Sequence, residues 1–384
     1  LDIRNGFLDF GGHALTKAGN SAFILTSDRI YGVTDGTSID VTGGTFGLED
    51  TTDLGGSAAN TLTVRSGAAF DFFNIIAPLR WSLLAENGAH LSARSGSSTQ
   101  NNWAGPVTLQ SGTVALDGPN TRTISGPISG EGGFVQGQGN TFLRNPANTF
   151  TGPATVTNGI LYSSYDGTIP SPAAFTLSGG MFYAYLGNGD APAAGWTSAG
   201  LNALVTQGAI TPGDGPSLSL DATPYAMAYD GALPSCRVRK YGTNTLTRSA
   251  GAPAPGILHI HNGTLALTAG LWDAAASNKA FYVGAENNSN SLGVARLSGT
   301  AAFRHFDAGY KASGSYTVIG DGASSRGILA ISDSASYAGR LYAGNNASAA
   351  GAVYQTGGTV LDFGVYSSDS RFGYNGFGYL DISG

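Results

Sequence analysis

The stretch ATVTNGILY, residues 154–162, alternates apolar and polar side chains on both sides of an Asn-Gly pair. Alternation with a period of two is the signature of a β-strand that buries one face. A glycine at the corner allows the backbone to adopt positive φ without a steric penalty. The stretch therefore predicts two short strands joined at a tight corner. Such a unit is too small to bury its apolar face alone.

The same strand-corner-strand unit recurs along most of the chain. Its nine copies are SIDVTGGTFGL (38–48), TLTVRSGAAFDF (61–72), VTLQSGTVAL (107–116), ATVTNGILY (154–162), FTLSGGMFYAY (175–185), ILHIHNGTLAL (257–267), VARLSGTAAF (294–303), LAISDSASY (329–337) and AVYQTGGTVLDF (352–363). A segment that ends in glycine also recurs, at Gly320 and again at Gly344. A repeat of about 20–25 residues is typical of a solenoid. We therefore predict an all-β fold, a parallel β-solenoid of about 20–25 residues per coil.

The domain organisation follows from how regular these repeats are. We expect one continuous β-solenoid segment over 1–384, taken from a larger protein, because no leader precedes Leu1 and the last repeat stops partway. Residues 186–235 are expected to be an irregular, loop-rich insertion or the weakest repeats, and 281–384 the most regular ones. Only Gly195–Gln207 shows a weak apolar stripe of helical period.

The composition narrows the classes of function. Charged residues make up only 11% of the chain, against a usual quarter, and the net charge is −6. The densest basic stretch, CRVRK at 236–240, is too short to follow a phosphate backbone, so no nucleic acid is expected as partner. No apolar run reaches about 18 residues, so no membrane insertion is expected within this segment. The lone Cys236 is interpreted as a small buried residue.

Three longer stretches share one layout and resemble the autotransporter-associated β-strand repeat. They are LTKAGNSAFILTSDRIYGVTDGTSIDVTGGTFGL (15–48), FVQGQGNTFLRNPANTFTGPATVTNGILY (134–162) and VRKYGTNTLTRSAGAPAPGILHIHNGTLAL (238–267). Two departures from the family pattern are Gln136, in place of the usual Lys, and Ser249–Pro255, in place of the Asn-Thr-Tyr turn. The resemblance implies a right-handed parallel β-helix, and it implies the secreted or surface-displayed passenger region of a bacterial protein.

Candidate metal-binding residues are few. His259 and His261 are expected on one face of a strand, about 7 Å apart by strand rise. No third ligand lies near in sequence, so an outward-facing polar ladder is the preferred interpretation. The segments PGDGP (212–216) and GDGA (320–323) are interpreted as isolated turns, although Ca²⁺ in one loop stays open. We assign no catalytic, cofactor-binding or metal-binding residue and expect no cofactor.

A carbohydrate-active β-helix enzyme, a polysaccharide lyase or glycosidase, is the alternative, together with a glycan-binding module. Such enzymes need two carboxylates flanking a bond, or a base assisted by cations. The acidic residues are interpreted as single groups scattered among turns, namely Asp71, Glu86, Asp190, Asp214, Asp221 and Asp230. The one local mixture of charge is Arg237, Arg239 and Lys240 with Asp230.

Aromatic residues offer stacking faces to sugars, or else fill loops and cap solenoid layers. They are Trp81, Trp103, Trp196 and Trp272, with Tyr183, Tyr185, Tyr374 and Tyr379.

We expect a non-enzymatic structural or adhesive segment of a secreted bacterial surface fibre or autotransporter-like passenger. Its location is then extracellular or at the cell surface, secreted or anchored in the outer membrane. Loops at 185–235 and 271–293 are expected to carry any recognition of surface glycans or of a host or neighbouring cell surface. The open ends of a solenoid favour self-association into a filament or stalk. Asn145–Thr151 is expected to be an exposed loop.

Overall fold

A computed structural model describes residues 1–4, 6–26, 29–96, 100–187, 195–253, 257–273, 280–284, 292–304, 316–321, 324–361, 371–373 and 375–383. The regular structure is nearly all β, and the strands stack in parallel as a β-solenoid of about 14 turns. The predicted solenoid is therefore confirmed. The chain divides into two compact units, residues 1–183 with 207–209, and residues 184–206 with 210–384. The single continuous solenoid, the irregular 186–235 and the regular 281–384 stay predictions.

The strands before residue 186 are short. They are β1 (Asp2–Arg4), β2 (Leu8–Asp9), β3 (Leu15–Lys17), β4 (Ala22–Thr26), β5 (Ile30–Tyr31), β6 (Ser38–Val41), β7 (Thr45–Glu49), β8 (Thr61–Val64), β9 (Ala69–Phe73), β10 (Ser82–Ala85), β11 (His90–Ser95), β12 (Asn102–Trp103), β13 (Val107–Leu109), β14 (Thr113–Asp117), β15 (Thr121–Ile124), β16 (Ile128–Ser129), β17 (Gly133–Gln136), β18 (Asn140–Leu143), β19 (Ala154–Val156), β20 (Ile160–Ser163), β21 (Phe175–Leu177) and β22 (Met181–Tyr185). Two 3-10 helices, Asp166–Thr168 and Pro172–Ala174, precede β21.

One α-helix, α1 (Ser198–Gln207), forms where the weak helical stripe was noted. The strands that follow are β23 (Ala209–Ile210), β24 (Gly213–Asp221), β25 (Met227–Ala228), β26 (Cys236–Tyr241), β27 (Thr245–Arg248), β28 (Ala252–Pro253), β29 (Ile257–Ile260), β30 (Gly263–Leu267), β31 (Leu271–Asp273), β32 (Ala280–Val283), β33 (Leu292–Leu297), β34 (Ala302–Arg304), β35 (Tyr316–Ile319), β36 (Arg326–Ile331), β37 (Ser336–Ala338), β38 (Leu341–Ala343), β39 (Ala350–Gln355), β40 (Thr359–Leu361), β41 (Arg371–Phe372) and β42 (Phe377–Ile382).

All nine predicted strand-corner-strand units are present, the last as far as its described residues extend. In the unit that opened the sequence argument, β19 and β20 flank Gly159, whose φ is 65°. A Cβ at Gly159 would lie 2.3 Å from the carbonyl oxygen of Gly139 in the previous coil. Glycine at this corner therefore serves both the backbone conformation and the close approach of neighbouring coils.

The first unit contains a two-stranded parallel sheet, β2-β5, and three larger parallel sheets. The orders of the larger sheets are β1-β4-β7-β9-β11-β14-β17-β19-β21, β3-β6-β8-β10-β13-β16 and β12-β15-β18-β20. Residues that lie opposite each other in neighbouring coils give the length of a coil directly. Thr113 pairs with Gly133, and His90 pairs with Ala115. Both offsets fall within the repeat length predicted from the sequence.

Three parallel sheets also build the second unit. Their orders are β24-β26-β29-β32-β35-β38-β41, β25-β27-β30-β33-β36-β39-β42 and β28-β31-β34-β37-β40. The coil length is less uniform here. Thr245 pairs with Thr264, whereas Leu292 pairs with Arg326, so the second of these coils is much longer than the first. The extra residues of the longer coil lie between paired strands, so they leave the strand register intact.

Apolar side chains at matched positions of successive coils form the core of each unit. In the first unit one such row consists of Ile39, Leu62, Leu83, Val107 and Ile128, each at most 2% exposed. In the second unit an equivalent row consists of Leu246, Leu265, Ala295, Leu329 and Val353, each at most 3% exposed. Burial of such rows is the main favourable contribution to folding, at about 25 cal/mol for each Å² of apolar surface.

Buried ammonium groups close two of the corners. The Lys17 side chain ends on the carbonyl oxygens of Ala18, Gly19 and Gly43, and the Lys240 side chain on those of Gly242, Asn244 and Asn262, at 2.5–3.0 Å. In each set two carbonyls belong to the corner that follows the lysine, and the third belongs to the next coil. Burial lowers the pKa of Lys240 to about 8. We call this arrangement the corner clamp.

Gln136 occupies the matching position in the remaining family-like stretch, residues 134–162. Its Nε2 donates to the carbonyl oxygens of Gln138 and Gly139, and its Oε1 accepts a hydrogen bond from Thr141. Glutamine therefore closes its own corner but, unlike lysine, its side chain reaches no carbonyl of the next coil among the described residues. This is the physical consequence of the departure from the family pattern at this position.

The expected exposed loop Asn145–Thr151 is only partly exposed. Asn148 is 6% exposed and Phe150 is 2% exposed, so the prediction is wrong at these two positions. Asn148 Oδ1 accepts a hydrogen bond from the Ile128 amide at 2.8 Å, and its Nδ2 donates to the Thr168 carbonyl at 3.1 Å. The asparagine thereby links the coil before it to the coil after it.

We expect Asn148→Ala to lower the melting temperature of the first unit. The substitution removes the side-chain partner of the buried Ile128 amide and of the Thr168 carbonyl, and each such loss costs about 1–3 kcal/mol. The matched control is Asn158→Ala, because Asn158 is exposed and its carboxamide accepts a hydrogen bond from the neighbouring amide of Gly159. Thermal melts followed by far-ultraviolet circular dichroism compare the two. Equal melting temperatures for both variants would contradict the bridging role of Asn148.

Candidate functional site

Two groups of polar side chains lie on the outer faces of sheets, one in each unit. The first, called here the carboxylate pocket, consists of Asp71, His90, Ser92, Arg94 and Asp117. The pocket has a volume of about 300 Å³ and is also lined by Ala22, Thr45 and Ala69. Asp71 lies opposite Ser92, and Ser92 lies opposite Asp117 in the next coil. The two carboxylates thus come from strands separated by one strand, about 9–10 Å apart at the backbone.

The two carboxylates of this pocket have different surroundings. Asp71 is 2% exposed and its Oδ2 accepts a hydrogen bond from Arg94 Nε, whereas its Oδ1 has no partner among the described residues. Burial raises the pKa of Asp71, an effect that the hydrogen bond and charge of Arg94 oppose. Asp117 Oδ2 lies 2.7 Å from His90 Nδ1 and is more exposed. A buried carboxyl with a raised pKa is the chemically distinctive group here.

The expectation that the acidic residues lie singly among turns is therefore wrong for Asp71, which lies in β9. It is also wrong for Asp214 and Asp221, which both lie in β24, so PGDGP is not an isolated turn. Glu86 follows β10 and accepts a hydrogen bond from Arg65 at 2.7 Å. Asp190 lies outside the described residues. The partners of these acidic residues depend on how neighbouring coils are aligned, and the sequence of a single coil does not show this alignment.

Asp230, like Glu86, lies outside the strands. Its carboxylate accepts hydrogen bonds from the amides of Ser249 and Ala250 and from the Ser249 hydroxyl. Although burial acts to raise the pKa of Asp230, these hydrogen bonds outweigh it and lower the pKa. The predicted charge mixture at 230–240 is not assembled, because Lys240 points inward to its corner clamp while Arg237 and Arg239 lie on the outer face.

The second group, called here the arginine–histidine face, covers β24, β26, β29 and β32. Its members are Ser217, Ser219, Asp221, Arg237, Arg239, Tyr241, His259, His261 and Tyr282. Ser219 lies opposite Arg239, and Arg239 lies opposite His259. Alternation along β26 places Cys236, Val238 and Lys240 inside the coil and the two arginines outside.

The two histidines of this face are buried rather than displayed. His259 is 2% exposed and His261 is 7% exposed, so the predicted outward-facing polar ladder is wrong in this respect. Their rings lie 5.6 Å apart, with Tyr241 stacked on His261 at 4.3 Å and Tyr282 against His259 at 4.6 Å. The aromatic neighbours cover the imidazoles and exclude water from them.

Burial and positive charge act together on these imidazoles. Burial lowers the pKa of His259 to about 3, with further lowering by His261, Arg239 and Arg237. Burial also lowers the pKa of His261 to about 4, again assisted by Arg239 and Arg237. Both rings are therefore neutral at pH 7. The positive charge of the face at that pH belongs to the two arginines.

Cys236 is buried without a disulfide, as the sequence predicted. Burial raises the pKa of its thiol to about 11, which disfavours the reactive thiolate at neutral pH.

The tryptophans do not present faces to a ligand. Trp81, Trp103, Trp196 and Trp272 are each at most 1% exposed, so they fill the interior of their units. In the second unit Arg248 lies over the rings of Tyr229 and Trp272, at 5.2 Å and 5.1 Å. Tyr379 is 42% exposed, whereas Tyr374 lies outside the described residues. Glycan stacking on tryptophan is therefore not supported by the described part of the chain.

Metal-ligating side chains do not cluster in the described ranges, where no three His, Cys, Asp or Glu residues form a group that could hold a metal ion. No helix in the described part of the chain has both the length and the apolar character needed to cross a bilayer. No protein-family model, no curated protein and no solved structure matches the chain.

The buried histidines predict a specific dependence of stability on pH. In the unfolded chain both imidazoles gain protons near pH 6.5, but in the folded chain they do so only near pH 4 and 3. The unfolded state therefore binds more protons between these limits, and stability is lost as the pH falls below about 6.5. Each histidine contributes up to about 1.4 kcal/mol per pH unit to this loss.

Urea unfolding between about pH 7 and pH 4.5 tests this prediction. We expect the variant His259→Gln with His261→Gln to lose stability with a clearly shallower slope than the unmodified chain. His13→Gln, at an exposed position outside the strands, is the control for removing a histidine elsewhere. Parallel curves for the unmodified chain and the double variant would show that the two imidazoles are not held neutral in the fold.

Proposed function

We propose that the chain is a non-enzymatic structural or adhesive segment of a secreted bacterial surface fibre or autotransporter-like passenger. The observation that supports this proposal is where the polar residues that mark the repeat lie and what they contact. Lys17, Lys240 and Asn148 are buried, and each joins one coil to another. The polar positions that define the repeat thus serve the stacking of coils. A chain that devotes its repeated polar residues to stacking is suited to a mechanical role.

The resemblance to the autotransporter-associated β-strand repeat supports the location of such a segment. A passenger region lies outside the cell, in the medium or held at the outer membrane. The low share of charged residues, 11%, and the free buried cysteine are both compatible with secretion without a disulfide framework. We therefore propose an extracellular or cell-surface location.

Two kinds of partner belong to this proposal. One is a further copy of the chain, with which it would self-associate into a filament or stalk. The other is a surface glycan or a host or neighbouring cell surface. The corner loops proposed for this recognition, at 185–235 and 271–293, are described only in part.

Immunogold electron microscopy of the producing cells tests the proposed location. Antibodies raised against residues 1–183 are expected to label intact, unpermeabilised cells or shed material around them. Treatment of intact cells with an external protease is expected to remove this label. An antibody against a cytoplasmic protein serves as control for cell integrity. Label that appears only after permeabilisation would place the chain inside the cell and refute the proposal.

A second candidate function rests on the carboxylate pocket. Asp71 combines burial, a raised pKa and an oxygen that has no partner among the described residues. These are properties of a general acid, and Asp117 supplies a second carboxylate from a strand two positions along the sheet. The function that this favours is that of a carbohydrate-active enzyme acting on a glycosidic bond, with Asp71 as the proton donor.

Assays of bond cleavage separate the two candidates. The purified chain is incubated with neutral and acidic polysaccharides, and new reducing ends and unsaturated sugar products are measured. The structural proposal predicts no product above that of boiled protein. The enzyme candidate predicts turnover that falls about 100-fold or more in Asp71→Asn, since a general acid contributes roughly 10²–10⁴-fold. Asp40→Asn, which alters an ion pair with Arg65 outside the pocket, is the matched control.

A further inference from the structure

Five buried polar atoms of the arginine–histidine face have no hydrogen-bond partner in the part of the chain that the structure describes. They are Ser217 Oγ, Ser219 Oγ, Arg237 Nε, Arg239 Nε and His261 Nε2. All five come from the neighbouring segments around β24, β26 and β29. A buried polar atom that lacks a partner costs about 1–3 kcal/mol. A ligand that satisfies several of these atoms at once therefore has a favourable place to bind.

The charge of this face indicates the sign of the ligand. Neither Arg237 nor Arg239 forms a salt bridge with any acidic residue that the structure describes. Asp221, the acidic side chain at the edge of the face, already accepts two hydrogen bonds from Thr223 through its Oδ1. The two guanidinium groups repel a metal cation and attract an anion. The face thus carries two positive charges, neither in a salt bridge within the described residues, against the one negative charge of Asp221.

We propose that Arg237, Arg239 and His261 bind an oxyanion, the sulfate, phosphate or carboxylate group of a ligand. A guanidinium group presents its N–H donors as a planar fork that matches two oxygens of such a group. The Ser219 hydroxyl, on the strand beside Arg239, adds a donor that rotates toward the same oxygens. The neutral His261 ring, directly after the strand on the other side, adds one more N–H.

Tyr241 holds two of these groups in place. Its ring stacks on His261 at 4.3 Å, and its hydroxyl oxygen lies 3.4 Å from Arg239 Nη1. Arg237, Arg239 and Tyr241 are partly exposed, so an anion reaches the guanidinium groups of the two arginines from solvent. The site therefore has a rigid buried floor of Ser217, Ser219 and His261, each at most 7% exposed, and two arginines at its entrance.

Isothermal titration calorimetry with sodium sulfate and sodium phosphate tests this site. Ionic strength is kept constant with sodium chloride, so that general screening does not change during the titration. We expect saturable binding with one anion per chain. Arg237→Gln and Arg239→Gln should each weaken this binding at least tenfold, and Arg239→Lys should fall between, because it keeps the charge without the planar fork.

Two controls keep the result interpretable. Arg326→Gln removes an exposed arginine at the start of β36 in the same unit and should leave binding unchanged. Far-ultraviolet circular dichroism should show that every arginine variant retains its β-structure. A second readout is the nuclear magnetic resonance titration of His261. Bound anion offsets the charge of the two arginines, so saturating sulfate should raise the pKa of His261, and should not do so in Arg239→Gln.

Polymers that carry the same groups identify the source of the oxyanion. Sulfated dextran, polygalacturonate and neutral dextran are compared with the free ions. Tighter binding of a charged polymer than of its free ion assigns the site to an acidic glycan, whereas equal or weaker binding assigns it to a small anion. Both results support the oxyanion site, independently of whether the chain is a surface fibre. Absence of saturable binding, or equal weakening by Arg326→Gln, overturns the proposal.

Discussion

Parallel pairing of each coil with the next is the constraint on which the rest of the structure depends. A strand inside such a stack has both its backbone edges satisfied by neighbouring strands, so it needs no help from side chains. A corner makes fewer such backbone pairs, so some of its carbonyls and amides need side-chain partners. The corner clamps of Lys17 and Lys240 and the bridging Asn148 provide these partners. The need for hydrogen-bond partners at corners, more than in strands, thus explains which polar residues recur in the repeat.

Short-range pattern was enough to predict the strands. Alternation and corner glycines placed β6 with β7 and β19 with β20, because both signals act over a few neighbouring residues. The same logic failed for polar residues whose partners lie one coil away. Asp71 meets Arg94, and His90 meets Asp117, only because coils of particular lengths bring them opposite each other. Because the length of the coils varies, the sequence of a single repeat does not show which residues of the neighbouring coils lie opposite it.

The two histidines show a second property that the sequence pattern did not predict, the exposure of a side chain on the outer face. The pattern of β29 correctly placed His259 on the outer face, since it alternates with the buried Leu258 and Ile260. Whether an outer face is wet depends on what packs over it, and here Tyr241 and Tyr282 cover the rings. Outward and exposed are therefore different properties in a solenoid. Buried polar chemistry on an outer face, such as that around Arg239, is found only once neighbouring coils are in place.

The reach of the corner clamp limits how far one coil depends on others. The Lys240 ammonium contacts its own corner and one carbonyl of the following coil, that of Asn262, and among the described residues it bonds to nothing further along the stack. A coil and its lysine therefore form a nearly complete structural unit, whose lysine needs a hydrogen-bond partner only from the adjacent coil. Duplication or deletion of such a structural unit changes the solenoid in steps of one strand spacing, about 4.8 Å. The length of the solenoid can therefore change without a change in the packing inside the remaining coils.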